Sequence, residues 1–181
     1  MEVTYLFKTM IVIGLDQSLS NTGWIVLLVT PKSIKLIDYG TFKTKIIKKQ
    51  SSKHCLNYRL IEIKNFIEEL ILKYSPDLIC TEYVFKGIEL IKLEGILHVL
   101  FVENKILFSV VSSSRTISGG WRKELNIKTS NKSETFTLFK EVNNNLDEHS
   151  YDSLAIALVG LLNNNYINKT QINEFIKPTT N

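Results

Sequence analysis

Residues 10–16 read MIVIGLD, an apolar, β-branched run that ends in a carboxylate and predicts the first strand of a sheet. The polar segment Gln17–Thr22 separates it from a second apolar run, Trp24–Val29, which predicts a second strand joined to the first by a tight loop. The partly alternating stretch Ser33–Phe42 predicts a third strand at a half-exposed antiparallel edge. These three strands together predict an antiparallel meander.

Helices and strands alternate after the meander. Apolar residues recur every three or four positions from Leu56 to Tyr74, which predicts an amphipathic helix that ends before Pro76. Two further strands are predicted at Asp77–Val84 and Phe108–Ser112. Three further helices are predicted at Glu89–Leu107, Lys132–Val142 and Glu148–Leu162. Strand–helix–strand connections imply parallel pairing and right-handed crossovers. We therefore expect an α/β fold with a mixed five-stranded sheet flanked by helices.

The composition is that of an ordinary globular protein. The chain has 181 residues, of which 44% are hydrophobic and 22% charged, which argues against a disordered or collagen-like chain. We expect one domain over residues 1–165, with an N-terminal extension at residues 1–9. An Asn-rich polar tail at residues 166–181 is predicted to carry no regular structure.

Cysteine usage and hydropathy bear on the compartment. Cys55 and Cys80 lack metal-site spacing, and two thiols do not make a disulfide framework, which favours a reducing environment. No apolar run reaches the roughly 18 residues that a membrane span needs, and residues 1–9 do not resemble a signal peptide. We expect a cytoplasmic protein that is neither secreted nor bound to a membrane.

The positive charges are concentrated in two segments. The formal net charge is only +4, but Gly40–Lys64 holds seven basic residues against the single acid Glu62. Lys105–Lys132 holds six basic residues against Glu124 alone. This distribution predicts a polarised surface that permits a polyanionic partner.

Three carboxylates occupy positions where acids are unusual. Asp16 ends the first strand, Glu82 interrupts the apolar fourth strand, and Asp152 lies near the start of an otherwise apolar helix. Each alone is more often a helix cap or half of an ion pair. If the first and fourth strands are parallel neighbours, Asp16 and Glu82 leave the same end of the sheet, where like charges oppose folding unless a cation lies between them. No Lys or Arg adjoins either acid in sequence, and Mg²⁺ is therefore the expected occupant.

The predicted C-terminal helix adds a histidine to this group. At 100° per residue, His149 and Asp152 share one face of the helix, at the N-terminal end. A helix-start histidine bonded to a backbone carbonyl would give the same pattern. Both interpretations of His149 stay open at this point.

Three segments resemble the RuvC-type Holliday junction resolvases of the RNase H-like superfamily. They are IGLDQSLSNTGW at residues 13–24, ICTEYVF at residues 79–85 and HSYDSLAIA at residues 149–157, each with the family's acidic residue in place. Order and spacing agree over Ile11–Leu162. Gln17-Ser18, where cellular members often have Pro-Gly, and Trp121-Arg122 resemble phage and viral branches more, which suggests a phage or viral source.

The resemblance implies a metal site. It makes Asp16, Glu82 and Asp152 metal-binding catalytic acids and His149 either a fourth metal ligand or a proton shuttle. The expected cofactor is Mg²⁺, with two ions per active site and Mn²⁺ as a substitute. No nucleotide cofactor is expected.

The resemblance also implies contacts to DNA and a second copy of the chain. Phe85 matches an aromatic residue that faces the junction centre, although a core phenylalanine would look the same. Further expected DNA contacts are basic residues: Lys48, Lys49, Arg115, Arg122, Lys123, Lys128 and Lys132. A solvated lysine at the start of a helix would look the same as Lys132. A homodimer is expected, with its interface on the helix Glu89–Leu107 through Leu90, Leu93, Leu97, Leu100 and Phe101, unless these residues belong to the monomer core.

The function implied is a metal-dependent, structure-selective endodeoxyribonuclease of DNA recombination and repair. It would resolve four-way DNA junctions by paired symmetric nicks that leave 5′-phosphates. Alternatives are a nuclease with broader specificity for flaps and forks, and a non-catalytic junction-binding protein. Half of an actin-like or sugar-kinase ATPase is disfavoured, because the chain is too short for two lobes and has no second glycine-rich phosphate loop.

Overall fold

A computed structural model of the chain describes residues 9–45, 52–112, 120–127 and 137–177. Within these ranges the strands are β1 (Met10–Asp16), β2 (Asn21–Val29), β3 (Ile34–Lys43), β4 (Leu78–Glu82) and β5 (Leu107–Val111). The helices are α1 (Ser52–Tyr74), α2 (Ile88–Glu103), α3 (Gly120–Glu124), α4 (Glu148–Asn163) and α5 (Lys169–Ile176). None of the described helices is long and apolar enough to cross a membrane.

The strands form one mixed sheet in the order β3-β2-β1-β4-β5. β1 pairs antiparallel with β2, which pairs antiparallel with β3, whereas β4 pairs parallel with both β1 and β5. The expected fold, a three-stranded meander extended by two parallel strands, is therefore confirmed. In the β1–β4 pair, Leu15 lies opposite Thr81, so the next residues, Asp16 and Glu82, leave the sheet at the same edge.

Helices cover both faces of the sheet. One core contains β1 residues such as Ile13 and Leu15, together with apolar residues of α1 and α2. The other contains Val12 of β1 with most of α4, and with residues of α3 and α5. Alternation along β1 explains the division, because neighbouring side chains of a strand point to opposite faces. The central strand is thus buried on both sides.

α4 lies unusually close to the sheet because glycines face it. A methyl group added to Gly14 would lie 2.3 Å from the carbonyl oxygen of Ser153, and one added to Gly23 would lie 2.2 Å from that of His149. At the other end of the helix, a methyl group on Gly160 would lie 2.4 Å from Sγ of Cys80. These contacts set the height and the position of α4 over the sheet.

Two sequence-based expectations about α2 are wrong. The helix ends at Glu103 instead of Leu107, because the backbone turns at Lys105, whose φ is 57°, and Leu107 already begins β5. Four of the five residues expected at a dimer interface pack into the core beneath α2 instead; these are Leu93, Leu97, Leu100 and Phe101, all at most 2% exposed. The alternative that they belong to the monomer core is correct for these four, whereas the fifth, Leu90, is only half-buried.

The segment expected to be an unstructured polar tail contains α5. Asn168 caps this helix in a capping box with Gln171, and Ile172 and Ile176 are buried in the core beneath α4. Apolar residues four positions apart, within a polar segment, are enough to anchor a two-turn helix. Of the helix expected at Lys132–Val142, residues 132–136 lie outside the described ranges.

Candidate acidic site at the sheet edge

Four side chains singled out from the sequence line one pocket at the carboxyl edge of the parallel strands. They are Asp16 at the end of β1, Glu82 at the end of β4, and His149 and Asp152 in the first turns of α4. Parallel pairing brings the two strand ends together, and the close seating of α4 brings the helix residues over them. Residues that are distant in the sequence therefore meet at one place.

Asp16 and His149 contact each other directly. Nδ1 of His149 lies 3.1 Å from Oδ2 of Asp16. The hydrogen bond with Asp16 raises the pKa of His149 above its usual value, with a further contribution from the nearby charges of Asp147 and Glu148, while partial burial opposes the shift. The imidazole therefore bonds a carboxylate, not the backbone carbonyl that the alternative interpretation would require.

Glu82 is held from two sides. Nε1 of Trp121 in α3 donates a hydrogen bond to its Oε1 at 2.9 Å. The side-chain amide of Gln17 donates to its backbone oxygen at 2.8 Å, which joins the ends of β1 and β4. Gln17 is 7% exposed, and its role was not foreseen from the sequence.

Asp152 is paired with an arginine from α3. The guanidinium Nη2 of Arg122 lies 3.4 Å from Oδ2 of Asp152, and the two side chains are only 8% and 15% exposed. The same guanidinium lies over the ring of Trp121, 4.7 Å from its centroid. The sequence showed only that no Lys or Arg adjoins Asp16 or Glu82 along the chain; in space, α3 supplies an arginine to the third acid, Asp152, from a remote part of the chain.

The first turn of α4 is fixed by its own hydrogen bonds. Asp147 caps the helix, because its carboxylate accepts from the backbone amide of Ser150 and from the hydroxyl of Thr41 in β3. The hydroxyl of Ser153 donates to the carbonyl oxygen of His149 and accepts from the backbone amide of Asp16. Backbone and side chains thus hold the helix start against the end of β1.

The expected DNA contacts fall into three groups. Phe85 lines the pocket and is 46% exposed, so it is not a core residue, and Lys123 is also exposed. Arg122 is buried against the acids, at 6% exposure, and does not lie on an open surface. The remaining residues lie outside the described ranges: Lys48, Lys49, Arg115, Lys128 and Lys132.

The donor set suits a hard divalent cation. Carboxylate oxygens are the ligands that Mg²⁺ prefers, and an imidazole nitrogen suits Mn²⁺. Among the described residues, no three such side chains are close enough to hold an ion as they stand. Asp16 is instead turned to His149, and Asp152 to Arg122. Metal binding at this edge would therefore require these pairs to rearrange.

The fold of this chain is RNase H-like. RuvC of Thermus thermophilus, solved in complex with a Holliday junction substrate, superposes with a TM-score of 0.63 at 18% identity, covering 82% of this chain and 91% of that one. The fowlpox virus resolvase, solved with Holliday junction DNA, gives a TM-score of 0.57 at 16% identity, covering 83% and 95%.

Sequence comparison finds relatives that are RuvC endonucleases. The RuvC crossover junction endodeoxyribonuclease of Synechocystis is 29% identical over 155 residues, which are 82% of this chain and 89% of the relative. RuvC of Rickettsia bellii is 34% identical over 76 residues, less than half of either protein. No protein-family profile matches the chain. In sequence and in fold the chain is thus similar to RuvC-type proteins, in agreement with the resemblance seen in its motifs.

Proposed function

We propose that this protein is a metal-dependent endodeoxyribonuclease that resolves four-way DNA junctions. The observation that supports the proposal best is the meeting of Asp16, Glu82, His149 and Asp152 at one pocket, from three elements far apart in sequence. The crossover junction activity named for the Synechocystis relative, and the junction DNA bound to two structural neighbours, support the choice of substrate. The proposed product is a pair of symmetric nicks with 5′-phosphates.

The proposed cofactor is Mg²⁺, with two ions per site and Mn²⁺ as a substitute. The three carboxylates would hold the ions, which would supply charge to activate water and to stabilise the leaving oxygen of the phosphodiester. The chain's own part is to fix the ligands: Trp121 orients Glu82, and the cap on α4 fixes the turn that carries His149 and Asp152. Because these contacts hold the ligands in place, they would keep small the rearrangement of side chains that metal binding requires.

His149 is proposed to be either the fourth ligand or a proton shuttle. Its contact with Asp16 places the imidazole at the edge of the sheet where the acids meet, and this hydrogen bond raises the pKa of His149 above its usual value. His149→Asp distinguishes the two roles. An aspartate can replace a ligand, but as a shuttle it would titrate at a much lower pH than an imidazole. Retained cleavage with an unchanged pH profile would therefore support the ligand role, and lost cleavage or a displaced pH profile, with intact junction binding, the shuttle.

The proposed assembly is a homodimer through the outer face of α2. Ile88, Ile91, Val99 and Val102 are 46–69% exposed on this helix. They follow one another at helical spacing and so form one apolar stripe, on the side opposite the buried residues. A two-fold dimer offers two identical sites to two strands of the junction, which paired nicking requires.

The proposed DNA surface surrounds the pocket. Phe85 is exposed at its rim and has the aromatic surface needed to stack on an unpaired base. Lys123 is exposed on α3 and would contact phosphate. We propose that the protein acts in the cytoplasm of a bacterial or phage-infected cell, or at a site of viral replication.

The deciding experiment uses Asp16→Asn and Asp152→Asn. Each variant should bind a labelled four-way junction with wild-type affinity and fail to cleave it in Mg²⁺. Asp38→Asn is the matched control, because Asp38 bonds Lys73 and Tyr74 at the end of α1, and it should cleave normally. Cleavage by both site variants would refute the assignment of residues. No cleavage of any branched DNA by the wild-type protein would refute the function.

A further inference from the structure

The guanidinium of Arg122 is buried, and its described contacts do not offset the free-energy cost of removing it from water. Arg122 is 6% exposed, and its Nε has no hydrogen-bond partner among the described residues. One Nη2 contact to Asp152, at 3.4 Å, and the ring of Trp121 are its described partners. A buried guanidinium without full hydrogen bonding is unfavourable unless local negative charge compensates for it.

The acidic pocket supplies that charge. Asp16, Glu82, Glu148 and Asp152 all line it, and carboxylates gathered in one pocket repel one another. Arg122 contributes a permanent positive charge, because its guanidinium does not lose its proton in proteins. The pocket therefore holds a cation built into the chain, next to the carboxylates that we propose as metal ligands.

We infer that Arg122 is a counter-cation of the acidic site that competes with the metal for Asp152. This inference rests on the proposed function, since it concerns loading of the same site. An ion held by Asp152 would lie next to the guanidinium of Arg122, and two cations in one pocket repel. Arg122 thus stabilises the metal-free protein and raises the metal concentration at which the site fills. It is a positioning residue, not a catalytic one.

The first test is metal binding without DNA. Mn²⁺ is titrated calorimetrically into the full-length protein and three variants. Arg122→Gln should bind Mn²⁺ about tenfold more tightly, the size of a typical coupling between two sites. Arg122→Lys keeps the charge and should stay close to wild type. Lys35→Gln, an exposed β3 position, removes one charge elsewhere and should change nothing. Equal or weaker binding by Arg122→Gln would overturn the inference.

The second test uses only the wild-type protein, so it does not depend on the folding of any variant. The chain has three arginines, Arg59, Arg115 and Arg122, so their Nε–H signals can be resolved by NMR after ¹⁵N labelling. Addition of Mg²⁺ to the wild-type protein should shift the Arg122 signal and speed its exchange with water at least tenfold, while Arg59, which bonds Leu19 and Thr44, should not respond. An unchanged Arg122 signal at saturating Mg²⁺ would contradict the competition.

The outcomes separate this inference from the proposed function. If the wild-type protein cleaves junctions but Arg122→Gln binds Mn²⁺ no more tightly, only the inference fails. If Arg122→Gln binds Mn²⁺ more tightly but no branched DNA is cleaved, the inference stands and the nuclease function fails.

Discussion

A single methyl group at Gly23 should displace the helix that carries half of the acidic site. In the structure, the Cβ of Gly23→Ala would lie 2.2 Å from the carbonyl oxygen of His149, 2.5 Å from its carbonyl carbon and 2.7 Å from Oγ of Ser153. The first two atoms are backbone and cannot rotate away. The sheet and α4 must therefore separate.

The size of the displacement of α4 follows from these distances. Ordinary contact begins near 3.4 Å, so the first turns of α4 must move by about 1 Å. Overpacking of this kind lowers the free energy of unfolding by about 1–3 kcal/mol. His149 and Asp152 lie on the displaced turns, and a misplacement of about 1 Å can lower a catalysed rate roughly 100-fold. Cleavage should therefore fall far more than folding does.

The assay measures both quantities on the same protein. Urea denaturation reports the free energy of unfolding, and single-turnover cleavage of a labelled four-way junction reports the rate. Gly95→Ala is the control for folding, because a methyl group there meets no described atom within 4 Å, and it should leave stability unchanged or raise it by about 0.5–1 kcal/mol. Wild-type stability and cleavage in Gly23→Ala would refute the close seating of α4 as the determinant of site geometry.

Three further changes probe contacts around the site and the core. Trp121→Phe keeps an aromatic ring but removes the indole N–H that bonds Glu82. The free energy of unfolding, measured in urea, should fall by about 1.5–3 kcal/mol, and an unchanged free energy would exclude the bond. Ile172→Ala should cost about 2–4 kcal/mol by the same measurement, whereas an unstructured tail would tolerate it. Burial alone would raise the pKa of Asp38, but hydrogen bonds from Tyr74, the Tyr39 amide and Lys73 outweigh it and hold that pKa below 3.8. Asp38 therefore stabilises the fold above pH 3.8 and loses this effect as the pH falls through its lower folded pKa; Asp38→Asn should be less stable at pH 7, with the difference closing in acid.

The strands and the acids were predictable because the relevant signals are local. β1 is a continuous apolar run, and its terminal Asp16 stands out against it. Glu82 ends a strand whose other residues are buried, and Asp152 lies just before the long buried apolar run of α4. An acid in such a place is expensive to bury, so its presence alone indicates a partner or an ion.

The predictions that failed depended on which face of an element is covered. The spacing of Leu93, Leu97 and Phe101 shows that α2 has an apolar face, but not whether a second chain or α1 covers it. α5 was missed because two buried isoleucines in eight residues are a weak periodic signal until the core beneath α4 is formed.

The sequence by itself predicted the order of the five strands and the mixed sheet, and it singled out the four candidate site residues, since each depends on a pattern within a few residues of the chain. Only the tertiary structure decided what surrounds the acids. Arg122 and Trp121 reach the pocket from α3, about forty residues after Glu82 and thirty before Asp152. Electrostatic pairing acts through space, and no local pattern records which distant charge the fold will bring within 4 Å.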